Sequence, residues 1–214
     1  MYLFMYYICL VTLILMSMYN VHAIQIAMLG LLFQRMFDIG FHRFLSDPMI
    51  YIITFLISLH VLLCLTDYHR NALINGVFSY DKIMRGDYHR IVTSVLLHDN
   101  IVHLLSNIAG LVIIGKIRCV GNLNEYFTIL LIIICNSAVH MLICFLINDR
   151  SYVVGFSGVV FALDVLRYYT LDKEIVKNII IRLLIAQVSA SNVSFIGHVS
   201  GIICGFLLFS YRGI

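Results

Sequence analysis

The sequence has no tryptophan, a single proline (Pro48) and little charge, with Asp, Glu, Lys and Arg making up 12% of 214 residues. A soluble domain carries about 25% charged residues, so this scarcity, beside 62% hydrophobic residues, excludes an ordinary soluble fold and points to a polytopic membrane protein. With so little proline, helices can run unbroken. Without tryptophan, the interfacial aromatic role falls to thirteen tyrosines. A basic patch is also missing: the net charge of +3 is spread over short loops, which excludes nucleic acid as a partner. The six cysteines (Cys9, Cys64, Cys119, Cys135, Cys144, Cys204) contain no CxxC pair, and five lie in or beside apolar runs. They read as small packing groups rather than disulfides or metal ligands. HExxH is absent as well, which argues against a zinc membrane protease, and no metal or cofactor is expected.

The apolar runs that fill most of the chain predict an all-α fold. Residues 1–23 are an apolar N-terminal segment for which a signal peptide, an extra helix and a misassigned start fit equally. Residues 24–48 form an amphipathic or re-entrant lead-in that ends at Pro48. From there, residues 49–214 predict six spans: Met49 to Leu65, Ile91 to Gly115 with a break at His98-Asp99-Asn100, Glu125 to Ile147, Phe156 to Tyr169, Val176 to Ser189, and Ser194 to Phe209. The fifth, at about 14 residues, is short for a bilayer. Lys and Arg divide nine to five between alternate loops, which predicts that both ends of this core face the cytosol.

In that topology the second, fourth and sixth spans start from the same side. His103 and Asn107, four apart on one helical face, lie near the start of the second, Ser157 at the start of the fourth and His198 at the start of the sixth. Ser157 is flanked by glycine in Gly155-Phe156-Ser157-Gly158, and His198 opens a stretch with Gly197, Gly201 and Gly205. A serine and a histidine at one depth are the minimum for an activated acyl-transfer nucleophile. Gly158 and Ala162 face a plausible counterpart in Gly197, Gly201 and Gly205, small residues that let two helices approach closely.

In order and spacing, His98, His103 and Asn107, then Gly155-Phe156-Ser157-Gly158, then Gly197-His198 with Gly201 and Gly205, resemble the motif set of the rhomboid intramembrane serine proteases. Within the family, the stretches around Ser157 and His198 look closest to the endoplasmic-reticulum branch. The resemblance implies a six-helix bundle that hydrolyses peptide bonds in transmembrane segments of single-pass or polytopic membrane proteins, with the lipid bilayer as its medium. It implies a Ser157–His198 dyad, with an oxyanion site made of His103, Asn107 and the Ser157 backbone N–H. Supporting roles fall to His98, Gly155, Gly158, Phe161, Gly197, Gly201 and Gly205, and the membrane implied is that of the endoplasmic reticulum or secretory pathway. Two positions depart from the family pattern. His89-Arg90 stands where many members have Trp-Arg, and Phe161 replaces the tyrosine that stacks on the base.

Asp164 is no third member of a triad, because seven residues of helix place it about 10 Å below Ser157. Its partner is expected to be Arg182, at a similar depth on the fifth span. His60, and Asn136 with His140, read as interhelical hydrogen bonders. The charge-free stretch from Leu183 to Phe195 reads as the weakly anchored wall of a lateral gate with the second span. The competing reading is a non-catalytic, derlin-type adaptor of membrane quality control, which the presence of both Ser157 and His198 disfavours.

Overall fold

The computed structural model describes residues 47–168, 173–189 and 194–211, with side chains at 185–189 excepted. The expectations for residues 1–23 and nearly all of 24–48 lie outside it, as do residues 190–193 and the side chains of 185–189 in the expected gate wall from Leu183 to Phe195. Among the described residues the chain is helical throughout, with nine helices, no strand, and one isolated bridge between Phe78 and Val153.

Helix α1, Pro48–Leu65, starts where the Asp47 side chain accepts from the Met49 N–H and Pro48 sits in the first turn, where its missing N–H costs nothing. The long polar loop after it holds two short helices, α2 (His69–Gly76) and α3 (Tyr80–Met84). Then come α4 (Arg90–Leu96) and α5 (Ile101–Ile114), bent by 90° at the break between them. The apolar pattern predicts 91–115 as one interrupted span. In the structure only α5 continues in the bundle direction, because Asn100 takes up an extended conformation and its side chain accepts from the His103 N–H to start a new helix.

Helix α6, Glu125–Ile147, has its expected bounds: Asn124 caps its start and left-handed Asn148 (φ 56°) its end. Helices α7 (Ser157–Leu166), α8 (Lys173–Ser189) and α9 (Phe195–Ser210) complete the bundle. The fifth run is longer than expected, 17 residues rather than about 14. Its helix extends through the polar turn Lys173–Lys177, where Glu174 and Lys177 form an exposed pair at 3.4 Å, whereas the apolar pattern marks only the residues after that turn.

Helices α1 and α6 are long and apolar enough to cross a membrane, and the bent α4–α5 pair passes the same test as a broken span; α7 and α9 are apolar but shorter. Exposed Phe55 and Leu62 on α1, with Phe127, Leu130, Ile134 and Phe145 on α6, supply apolar surface for lipid. The core runs from Met49, Ile53 and Leu56 through Leu104, Ile108 and Leu111 to Ile132, Val159, Leu163, Cys204 and Leu208. Helix α7 is its centre. From Gly158 to Leu166 every residue but Val160 is buried, as expected of a helix that is apolar all round. Helix α8 joins through Ile179 and Leu183, which pack with Phe161, Val165 and Ile202.

The first loop is anchored by Arg90, 3% exposed, which donates to the carbonyls of Ile74 and Val77 and to the Asp87 carboxylate. His89 bonds the Asn75 carbonyl at 3.0 Å. Further along, Phe78 and Val153 exchange both backbone hydrogen bonds, at 2.8 and 3.3 Å.

Candidate active site

Ser157 is the first residue of α7, and the turn before it depends on Gly155, whose φ of +112° is a conformation that residues with a side chain rarely adopt. A β-carbon at Gly155 would also lie 2.6 Å from His103 Cε1 and 3.4 Å from Asn107 Nδ2. The two α5 side chains therefore close directly over the loop that delivers Ser157. Side chains cap the starts of α1, α5, α6 and α9 (Asp47, Asn100, Asn124 and Ser194), whereas α7, with Phe156 at its N-cap position, starts with no side-chain cap, as do the short helices α2, α3 and α4. An uncapped helix start presents unsatisfied N–H groups and the positive end of a dipole, a good environment for a developing oxyanion.

The partner helix is brought up by small residues. A β-carbon on Gly201 would collide with the Gly158 carbonyl, one on Gly158 would lie 3.1 Å from the Gly197 carbonyl oxygen, and one on Gly205 would lie 2.9 Å from that of Ala162. The backbones of α7 and α9 are thus in contact along three successive turns. His198, 2% exposed, lies on this face with its ring centroid 4.6 Å from that of Phe161. Neither of its ring nitrogens has a hydrogen-bond partner, and no bond to Ser157 is formed. His103 Nε2 and Asn107 Nδ2 are likewise buried and unpaired. Buried nitrogens without partners are costly, and a polar occupant between these helices would satisfy them.

A Rhomboid domain model matches residues 85–213, which take in every one of these groups. The chain belongs to the rhomboid family. Rhomboid-like protein 15 of Arabidopsis thaliana is 26% identical over 148 residues, 58% of this chain and 36% of that relative's own length. The rhomboid is therefore an integral membrane protein built as an all-α bundle.

Several site features of this rhomboid go beyond what the motif spacing predicts. Asp99 accepts from His103 Nδ1 at 2.8 Å, an i,i+4 pairing that the spacing could have revealed. With Nδ1 donating, His103 Nε2 can act as a donor only when the ring is protonated, and the ring then forms an ion pair with the carboxylate. His98 accepts from the Phe156 N–H at 3.4 Å, so it touches the residue before Ser157. Beside Ser157 lies a cavity of about 30 Å³, lined in part by Ser94, Asn136, Ser137 and His140. That is room for about two water molecules in a polar setting. Asn136 accepts from Ser200 Oγ at 2.9 Å, an interhelical bond between α6 and α9, and Ser200 lies 3.5 Å from His140 Nδ1.

Asp164 lies away from this site. It pairs with Arg182 on α8 at 2.8 Å, as its depth suggests, and also with Arg167 at 3.0 Å. The Arg182 Nε–H is not aligned for a hydrogen bond, so that contact is a charge pair, and both guanidinium groups donate to the Tyr168 hydroxyl.

Proposed function

We propose that this rhomboid is a serine endopeptidase that cleaves transmembrane segments of membrane proteins by a Ser157–His198 dyad within a six-span core. The observation that carries the reading is the uncapped start of α7 at Ser157, facing the unpaired nitrogens of His103 and Asn107 across Gly155. His198 takes the Ser157 proton as the hydroxyl oxygen attacks the scissile carbonyl, and the new oxyanion accepts from Asn107, His103 and the Ser157 N–H. Collapse of the tetrahedral intermediate transfers the His198 proton to the leaving amine and leaves an acyl-Ser157 ester. A water from the Asn136–His140 cavity then attacks this ester, with His198 again as base. Because the Ser157 and His198 side chains start without a mutual bond, substrate entry is the step that brings them together, as happens at many empty catalytic sites. The endoplasmic reticulum or another secretory membrane is the expected location.

A fluorophosphonate probe distinguishes this reading from a derlin-type adaptor. Covalent labelling that Ser157→Ala removes supports the protease; a folded wild-type chain that takes no label and cleaves no single-pass test substrate overturns it.

A further inference from the structure

We infer that His60, Cys64 and His69 form a binding site for a zinc ion at the junction of α1 with the first loop. His60 and Cys64 are four apart on one face of α1, and the turn through left-handed Asp67 (φ 58°) brings His69, at the start of α2, back over them. One ligand atom from each of the three lies within 4.8 Å of the others. A zinc tetrahedron with nitrogens at about 2.0–2.1 Å and sulfur at about 2.3 Å has N–N and N–S edges of roughly 3.3–3.6 Å. The largest separation exceeds those edges by no more than about 1.5 Å, a gap that rotation of the three side chains would close on binding.

Two independent observations point to a ligand here. His60 is 3% exposed, yet its Nε2 has no hydrogen-bond partner, so a buried imidazole nitrogen is left without a polar contact. His69 Nε2 lies 2.7 Å from the His98 carbonyl oxygen, which can only accept; Nε2 therefore carries the proton and Nδ1 the lone pair. A backbone carbonyl holding the far side of an imidazole in this tautomer is the usual support of a metal-ligating histidine. The two rings meet edge to face with centroids 5.0 Å apart.

Two imidazoles and a thiolate suit a borderline-soft ion and not magnesium or calcium, which take oxygen. On binding, the Cys64 thiol releases its proton to solvent, both histidines stay neutral, no electron moves, and water takes the fourth position. The ion fastens the end of α1 to the first loop. It also fixes His69, which holds the His98 carbonyl while His98 Nε2 accepts from Phe156 beside Ser157.

The test uses the full chain in detergent, stripped with a chelator and titrated with Co²⁺. A thiolate-to-cobalt charge-transfer band that saturates at one equivalent, is displaced by Zn²⁺, vanishes in Cys64→Ser and persists in Cys135→Ser is the expected result. X-ray absorption at the zinc edge of the loaded wild-type chain needs no variant, and should show one sulfur at about 2.3 Å with nitrogens at about 2.0–2.1 Å. A wild-type chain that shows no such band, a band unchanged in Cys64→Ser, or a zinc shell without sulfur overturns the site. None of these readouts depends on Ser157 being catalytic.

Discussion

Gly201 lies so close to Gly158 that a β-carbon on the first would fall on the carbonyl of the second. The obstruction is backbone, which cannot rotate away, so α7 and α9 must separate to admit even a methyl group. Gly201→Ala is expected to destabilise by about 1–3 kcal/mol and Gly201→Val by more. Both should lower proteolytic activity beyond the loss of folded protein, because they part Ser157 from His198. Thermal unfolding in detergent, with activity measured per folded molecule, checks this; wild-type stability in Gly201→Val would contradict the packing.

Nucleophile and base act as one unit, so Ser157→Ala and His198→Ala should each abolish cleavage of a single-pass substrate, and the double variant should be no worse than either. Ser157→Ala should melt close to wild type, whereas His198→Ala should melt lower, because it removes a buried ring packed on Phe161. Near-normal turnover by either variant would refute the dyad.

Asn107→Ala removes one oxyanion donor and leaves the others, and the expected loss in kcat is about 10²–10³-fold with little change in KM. Asp99→Asn tests His103 by a different route. The amide forms no ion pair with the His103 ring and holds it less firmly, so kcat should fall with little change in KM. A flat rate in Asn107→Ala, or an unchanged kcat in Asp99→Asn, would assign these groups to packing.

The buried carboxylate of Asp164, paired with two partly exposed arginines, provides a charge cycle. Asp164→Asn leaves both guanidinium groups without their anion; because these are partly exposed and can be hydrated, the cost should be about 1–3 kcal/mol, below that of a fully buried pair. Arg182→Gln should cost less, since Arg167 remains at 3.0 Å. The double variant should recover part of the summed loss. Strict additivity in thermal or denaturant unfolding would show that Asp164 and Arg182 are not coupled.

The bundle is legible where the chain announces itself by composition. The apolar runs of α1, α6 and α9 give bounds within a residue or so, and the glycine spacings mark the face on which α7 and α9 meet. The 90° turn at His98–Asn100 is not legible, because polar residues mark a break while the direction of the new helix depends on what α5 packs against. Depth in the bundle points Asp164 to Arg182 but passes over Arg167, which stands only three residues away on the same helix surface. The pairing of Asp99 with His103 is hidden from a depth argument in the same way. The approach of His69 to His60 and Cys64 depends on a left-handed residue in a turn, which no periodicity reports.

The single bridge between Phe78 and Val153 gives the first loop a mechanical grip on the site. Val153 lies two residues before Gly155, and its side chain lies 3.3 Å from where a β-carbon of Gly197 would be. A tug on the loop thus reaches the segments that carry Ser157 and His198 through two hydrogen bonds, with no helix having to shift as a body. The amides of Phe78 and Val153 can exchange with solvent only when that link is broken, so they keep time for the site: a slow pair reports a loop in gear, a fast pair one that has slipped.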